Sequence, residues 1–85
     1  MRLERTERFK REFQSLPAAI QRRAEKQLSL FLNNPRHPSL RIKKMGGLAA
    51  LWEGRITRNY RFTFELLEEV CVLRRIGTHD ILGTP

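Results

Sequence analysis

An 85-residue chain with 40% apolar residues supports one small domain around one core, burying only about 60–65% of the surface its unfolded form exposes. No apolar run approaches the roughly 20 residues that span a bilayer, and the opening MRLERTERFKREF lacks the apolar segment of a signal peptide. The single cysteine, Cys71, excludes a disulfide framework or a cysteine metal site, so the expectation is a cytoplasmic domain over residues 1–85.

Seventeen Lys and Arg against nine Asp and Glu give a net charge of +8, and thirteen of those cations are arginine. Arginine suits bidentate phosphate contacts, so the balance points to a nucleic acid or to an acidic protein partner. No wide apolar helix face opposes a lysine-rich one, which argues against a membrane-surface role.

Arg2 to Arg5 alternates charge with Leu3 and reads as a short edge strand. Thr6 suits an N-cap, with Glu7 in the first helical turn where the helix dipole favours an anion. Phe9, Phe13 and Leu16 fall at i, i+4 and i+7, one buried stripe of a first helix. That helix ends near Ser15, because the residue before Pro17 resists the α region. Pro17 suits the first position of a second helix, whose apolar stripe is Ile20, Ala24, Leu28, Phe31 and Leu32. Asn33-Asn34-Pro35 stops it, completing an αα-hairpin. From Asn34 to Gly47 the chain reads as a loop broken by Pro35, Pro38 and Gly46-Gly47, carrying Arg36, His37, Arg41, Lys43 and Lys44. A loop this long is either functional or a solvated connector.

Leu51 to Asp80 then predicts a three-stranded antiparallel meander. Ala50, Trp52, Gly54 and Ile56 alternate with Leu51, Glu53 and Arg55; Tyr60, Phe62, Phe64 and Leu66 alternate with Arg61, Thr63 and Glu65. Glu68-Glu69 makes the next turn, Val70 to Leu73 is apolar on both faces, and Arg74-Arg75-Ile76 leads to a closing Gly77-Thr78-His79-Asp80 turn. The expected class is α+β: a short N-terminal strand, a helical hairpin and the meander, with the helices packed on one face of the sheet.

The other face carries the chemistry. A strict two-residue turn at Arg58-Asn59 sets Arg55 across from Phe62 and mixes the faces. A three-residue loop at Thr57–Asn59 sets Arg55 across from Arg61 and keeps Ile56 and Phe62 together, and is preferred. His79 ends the next strand and returns beside them. Two guanidiniums and an imidazole able to move a proton would make a metal-free phosphodiester site. No Gly-rich phosphate loop or carboxylate cluster competes with that reading. The plainer alternatives are a solvated Arg61, His79 as turn filler beside Asp80, Trp52 and Tyr60 as packing groups, and Glu53 as a cross-strand ion partner. The residues alone reach a basic α+β domain that binds an acidic or nucleic-acid partner.

Leu16-Pro17 between helices, the loop NPRHPSLRIKKMGG, the hairpin LWEGRITRNYRFTF and the closing RRIGTHD together resemble the RelE/ParE superfamily of type II toxin–antitoxin toxins. The resemblance covers nearly the whole chain. It implies a ribosome-dependent mRNA endoribonuclease that works without metal or other cofactor and inhibits translation. It also implies an acidic cognate antitoxin and contact with operator DNA only through the antitoxin complex. By that likeness Arg61 binds the scissile phosphate, Arg55 occupies a basic position on the preceding strand, and His79 is the general acid. Arg41, Lys43, Lys44, Arg58 and Arg75 are then the expected RNA contacts. The chain departs from the pattern after His79, where Asp80 and Gly83 stand in the region that carries an aromatic residue in many active relatives. Two other outcomes therefore stay open, a non-enzymatic ParE-like inhibitor of DNA gyrase and a degenerate toxin that only binds its antitoxin.

Overall fold

The computed structural model describes residues 2–47 and 50–85. Strand β1 (Arg2–Arg5) leads into helices α1 (Glu7–Gln14) and α2 (Ala18–Asn33), followed by a 3-10 turn at Pro38–Leu40. Strands β2 (Lys43–Lys44), β3 (Leu51–Arg55), β4 (Tyr60–Leu67) and β5 (Val70–Thr78) follow, and a second 3-10 turn spans His79–Gly83. The sheet order is β1-β5-β4-β3-β2, with β1 parallel to β5 and the other pairs antiparallel. The expected strand, helical hairpin and meander are all present. The Asn34–Gly47 segment, read as loop, also contributes β2, so the sheet has five strands and not four.

Local chemistry explains the helix ends. The Thr6 hydroxyl oxygen accepts the Phe9 N–H at 3.0 Å, satisfying one orphan donor of α1, and the same hydroxyl donates to the Arg74 carbonyl at 2.9 Å. Pro17 has a helical φ of −54° but an extended ψ of 147°, which makes it the N-cap of α2 and not its first residue. Its carbonyl accepts from Ile20 and Gln21, both at 2.9 Å.

Ala24, Leu28 and Phe31 of α2 are buried on the sheet, together with Phe9 of α1. The Phe31 ring sits 5.6 Å from Phe62 and 4.9 Å from Phe64, centre to centre. Each such buried side chain stabilises by about 1.5–3 kcal/mol of transfer free energy. Leu32, expected in the stripe, is instead 47% exposed, since it lies one position round from Phe31. Gln27 takes the buried place, because its amide donates to the Arg55 carbonyl at 3.2 Å.

Register sorts the meander into two faces. Trp52 opposite Phe64 and Gly54 opposite Phe62 face the helices; Glu53 opposite Thr63 and Arg55 opposite Arg61 face away. Gly54 is required by close approach, for a Cβ there would lie 2.4 Å from the Phe62 ring. A bulge shifts the β4–β5 register, so that Thr63 opposes Arg75 while Phe64 opposes Leu73, with Arg74 as the extra residue.

The second face is not left to solvent, as the sequence suggests. After β5 the chain reverses and residues 81–85 lie back over it. Ile81 is buried near Gly77, where a Cβ would stand 3.0 Å from its Cγ2. Thr63 is fully buried, its hydroxyl donating to the Pro85 carbonyl at 3.2 Å, and Arg74 Nε donates to the same oxygen at 3.3 Å.

Candidate functional site

The end of β3, the loop to β4, the start of β4 and the end of β5 meet at one end of the sheet. The Ile56 N–H donates to Tyr60 O at 3.0 Å, which closes the loop so that Arg55 stands opposite Arg61. Gly77 then opposes Arg61 and Thr78 opposes Tyr60, so the next residue, His79, leaves β5 at this same end, exposed. Arg41 joins from the end of the first 3-10 turn, its φ of 45° in the left-handed region. Arg58 stands exposed in the loop itself.

The electrostatics single out this end. Arg61 Nη1 donates to the carbonyls of Thr57 (2.7 Å), Arg58 (2.9 Å) and Tyr60 (3.1 Å), which pins the guanidinium against the loop while leaving its other donors available. Arg55 Nε is buried without a hydrogen-bond partner. Burial, and then the like charges of Arg61, Arg41 and Arg58, hold the Arg55 guanidinium below its usual value. Five ion pairs are present among the described residues: Arg2–Glu4, Arg8–Glu12, Lys10–Glu7, Arg74–Glu65 and Arg75–Glu12. None involves the four clustered arginines. Gathered like charges without a counterion favour a multivalent anion, and guanidinium forks match phosphate oxygens in particular.

The remaining expected residues divide. Lys43 and Lys44 are exposed on β2, opposite Glu53 and Trp52, and rim the sheet beside the cluster. Arg75 belongs elsewhere. Its guanidinium binds both carboxylate oxygens of Glu12 and donates to Thr84 O (3.1 Å) and Thr84 Oγ1 (2.9 Å), leaving the side chain 14% exposed. An arginine so engaged has little left to offer RNA, which corrects the expectation for it. Trp52 stacks on Phe64 with centroids 6.4 Å apart and is a packing residue. Among the described residues no three of His, Cys, Asp or Glu group as a metal-ligand set. A concavity of about 1360 Å³, lined by Arg2 and Leu66 to Val70, is at the far end of β4.

Two further participants were not among the residues singled out from the sequence. Gln27 fixes the carbonyl of Arg55 from α2, and Glu12 accepts the Ile76 N–H at 3.3 Å on the edge of β5 that β1 does not cover. Glu12 lies three residues from Phe9 and four from Leu16, so its place on the inner flank of α1 was signalled by helical spacing.

No family model matches the sequence, and no curated protein matches it. Solved structures do. A chain of the RelB–RelE antitoxin–toxin complex from Methanococcus jannaschii superposes with a TM-score of 0.78 at 20% identity, covering 96% of this chain and 99% of that one. A chain of the E. coli DinJ–YafQ complex gives 0.77 at 13% identity, covering 96% and 98%. The YoeB/ParE toxin from Agrobacterium tumefaciens gives 0.77 at 18% identity, covering 93% and 99%. The chain therefore shares the fold of these proteins over more than nine-tenths of its length.

Proposed function

We propose that this chain is the toxin of a type II toxin–antitoxin pair: an endoribonuclease that cuts ribosome-bound mRNA, inhibits translation in the cytoplasm and is neutralised by an acidic cognate antitoxin. The observation that carries the reading is the cluster of Arg41, Arg55, Arg58 and Arg61, without a carboxylate partner, at the sheet end where His79 leaves β5. Support for the toxin class comes from the shared fold, which occurs in the RelB–RelE complex of M. jannaschii and in the DinJ–YafQ complex of E. coli.

In the proposed reaction the ribose 2′-hydroxyl gives its proton to water as its oxygen attacks the adjacent phosphorus, the O2′–P bond forms and the P–O5′ bond breaks. Negative charge grows on the non-bridging oxygens. Arg61, oriented by the loop carbonyls, and Arg55 opposite it supply fixed positive charge there, which needs little reorganisation as the charge develops. His79 donates a proton to the departing 5′-oxygen. Arg41, Arg58, Lys43 and Lys44 hold the flanking RNA backbone. Operator DNA is reached only through the antitoxin complex.

Primer extension on mRNA in programmed ribosomes tests the reading. Wild-type protein should cut within codons, and Arg61→Ala should lower kcat by roughly 10²–10³, the usual loss for an oxyanion-stabilising donor. Intact message with wild-type protein, or full activity in an Arg61→Ala, His79→Ala double variant, would refute it. One observation favours a second reading, a non-enzymatic inhibitor of DNA gyrase: the turn after His79 holds Asp80 and Gly83 and no aromatic residue to stack on a base. Inhibition of supercoiling without message cleavage would select it.

A further inference from the structure

Both ends of the turn that carries His79 are clamped. Its start is fixed by the β4–β5 ladder, with Thr78 opposite Tyr60. Its far end is fixed by a chain of side chains that begins on α1. Glu12 takes the Arg75 guanidinium with both carboxylate oxygens and takes the Ile76 N–H as well, so it locks both Arg75 and the strand edge. Arg75 then turns its Nη1 to Thr84, meeting the carbonyl at 3.1 Å and the hydroxyl at 2.9 Å. Thr84 N–H donates to Ile81 O at 3.1 Å, which draws the last residues of the turn together, and Ile81 packs down beside Gly77. These contacts join α1, β5 and the returning chain in one network that closes on the turn beginning at His79.

We infer that Glu12, Arg75 and Thr84 form a positioning relay that sets His79 against Arg61 across the end of the sheet. This inference rests on the proposed cleavage reaction for its consequence, and on geometry alone for the relay itself. It assigns Arg75 a different role from an RNA contact. The two roles separate in kinetics: losing an RNA contact raises KM, whereas losing the alignment of the acid lowers kcat with KM little changed. Glu12 sharpens the distinction, since a carboxylate has no attraction for RNA, yet its removal should reproduce the Arg75 defect.

The test uses the full chain and three variants, Glu12→Gln, Arg75→Lys and Thr84→Val. Arg75→Lys keeps the charge but loses the fork that reaches Glu12 and Thr84 together. Thr84→Val keeps the shape and removes the hydroxyl. The imidazole proton resonances of His79 are followed by NMR, with His37 as internal reference. All three variants should shift or broaden the His79 signals and leave those of His37 in place. On programmed ribosomes they should lower kcat by roughly ten- to hundredfold, the loss expected when a catalytic group is displaced by about 1 Å, with KM within about twofold. Unchanged His79 resonances in Arg75→Lys and Thr84→Val overturn the relay, as does a rise in KM at constant kcat. If the wild-type protein cuts no message, the cleavage reading falls by itself, and the His79 resonances still uphold or overturn the relay.

Discussion

Gly54→Ala is the smallest change with a large expected effect. The added methyl would sit 2.4 Å from Cε1 and Cζ of Phe62 and 2.9 Å from Cδ1 of Ile42, about 1 Å inside ordinary contact. The Phe62 ring has nowhere to go, being fully buried with ring centres 5.6 Å from both Phe31 and Phe64. Overpacking of a tight core costs about 1–3 kcal/mol, and this clash belongs at the upper end. Alanine returns about 0.4–1 kcal/mol by restricting the unfolded chain, which leaves a net loss of about 2 kcal/mol. For a domain of this size each kcal/mol moves Tm by about 4–8 °C, so calorimetry should show a fall of about 8–16 °C. Adding Phe62→Leu to Gly54→Ala should cost less than the sum of the two single changes, with a coupling of about 1 kcal/mol. A Tm within about 2 °C of wild type, or strict additivity in the double variant, would refute the steric argument.

Arg41→Gly should raise Tm, because glycine adopts φ 45° without strain and the change also removes one of the like charges beside Arg55. Thermal melts should show a gain worth about 1 kcal/mol, smaller in 0.5 M salt where the repulsion is screened, together with weaker RNA retention in filter binding. Glu12 offers a pH test. Burial opposes its charge, but the bonds from Arg75 and Ile76 and the charges of Arg75 and Arg8 win, holding its carboxyl below the usual value of 4.5. Its contribution is therefore complete above that value and is lost as pH falls through the lower folded-state value; urea titrations should show Glu12→Gln removing part of the acid-side loss. Cys71 is fully buried and burial pushes its thiol up to about 12, so a thiol reagent at pH 8 should label it only in denaturant. Rapid labelling of the native protein would contradict that burial.

Much of the fold was legible because its determinants are local. Thr6, Pro17 and Asn33-Asn34-Pro35 punctuate the helices by their own hydrogen bonding and ring geometry, and the need to keep Ile56 and Phe62 on one face chose the hairpin register. What was not legible depends on distant partners. Lys43-Lys44 carries no strand propensity of its own and forms β2 because the edge of β3 accepts it. Arg61 and Arg75 look alike in sequence, and only Glu12, 63 positions from Arg75, makes one structural and leaves the other at the sheet end. The burial of Ile81 follows from the missing side chain at Gly77 and from Thr63 and Arg74 reaching Pro85, contacts that no periodicity encodes.

The parallel pairing of β1 with β5 has a consequence for how the molecule comes into being. Arg2 to Arg5 finds its neighbours only at Val70 to Leu73, and Thr6 binds Arg74 across 68 positions of sequence. Closing so large a loop is entropically unfavourable and slow beside hairpin formation, so the meander that carries Arg55, Arg61 and His79 assembles first and the N-terminal strand docks onto it afterwards. In pulse-labelled hydrogen exchange the β1 amides should gain protection last. The sheet is therefore finished only when its two strands most distant in sequence meet, and the docking of β1 on β5 is the step that completes it.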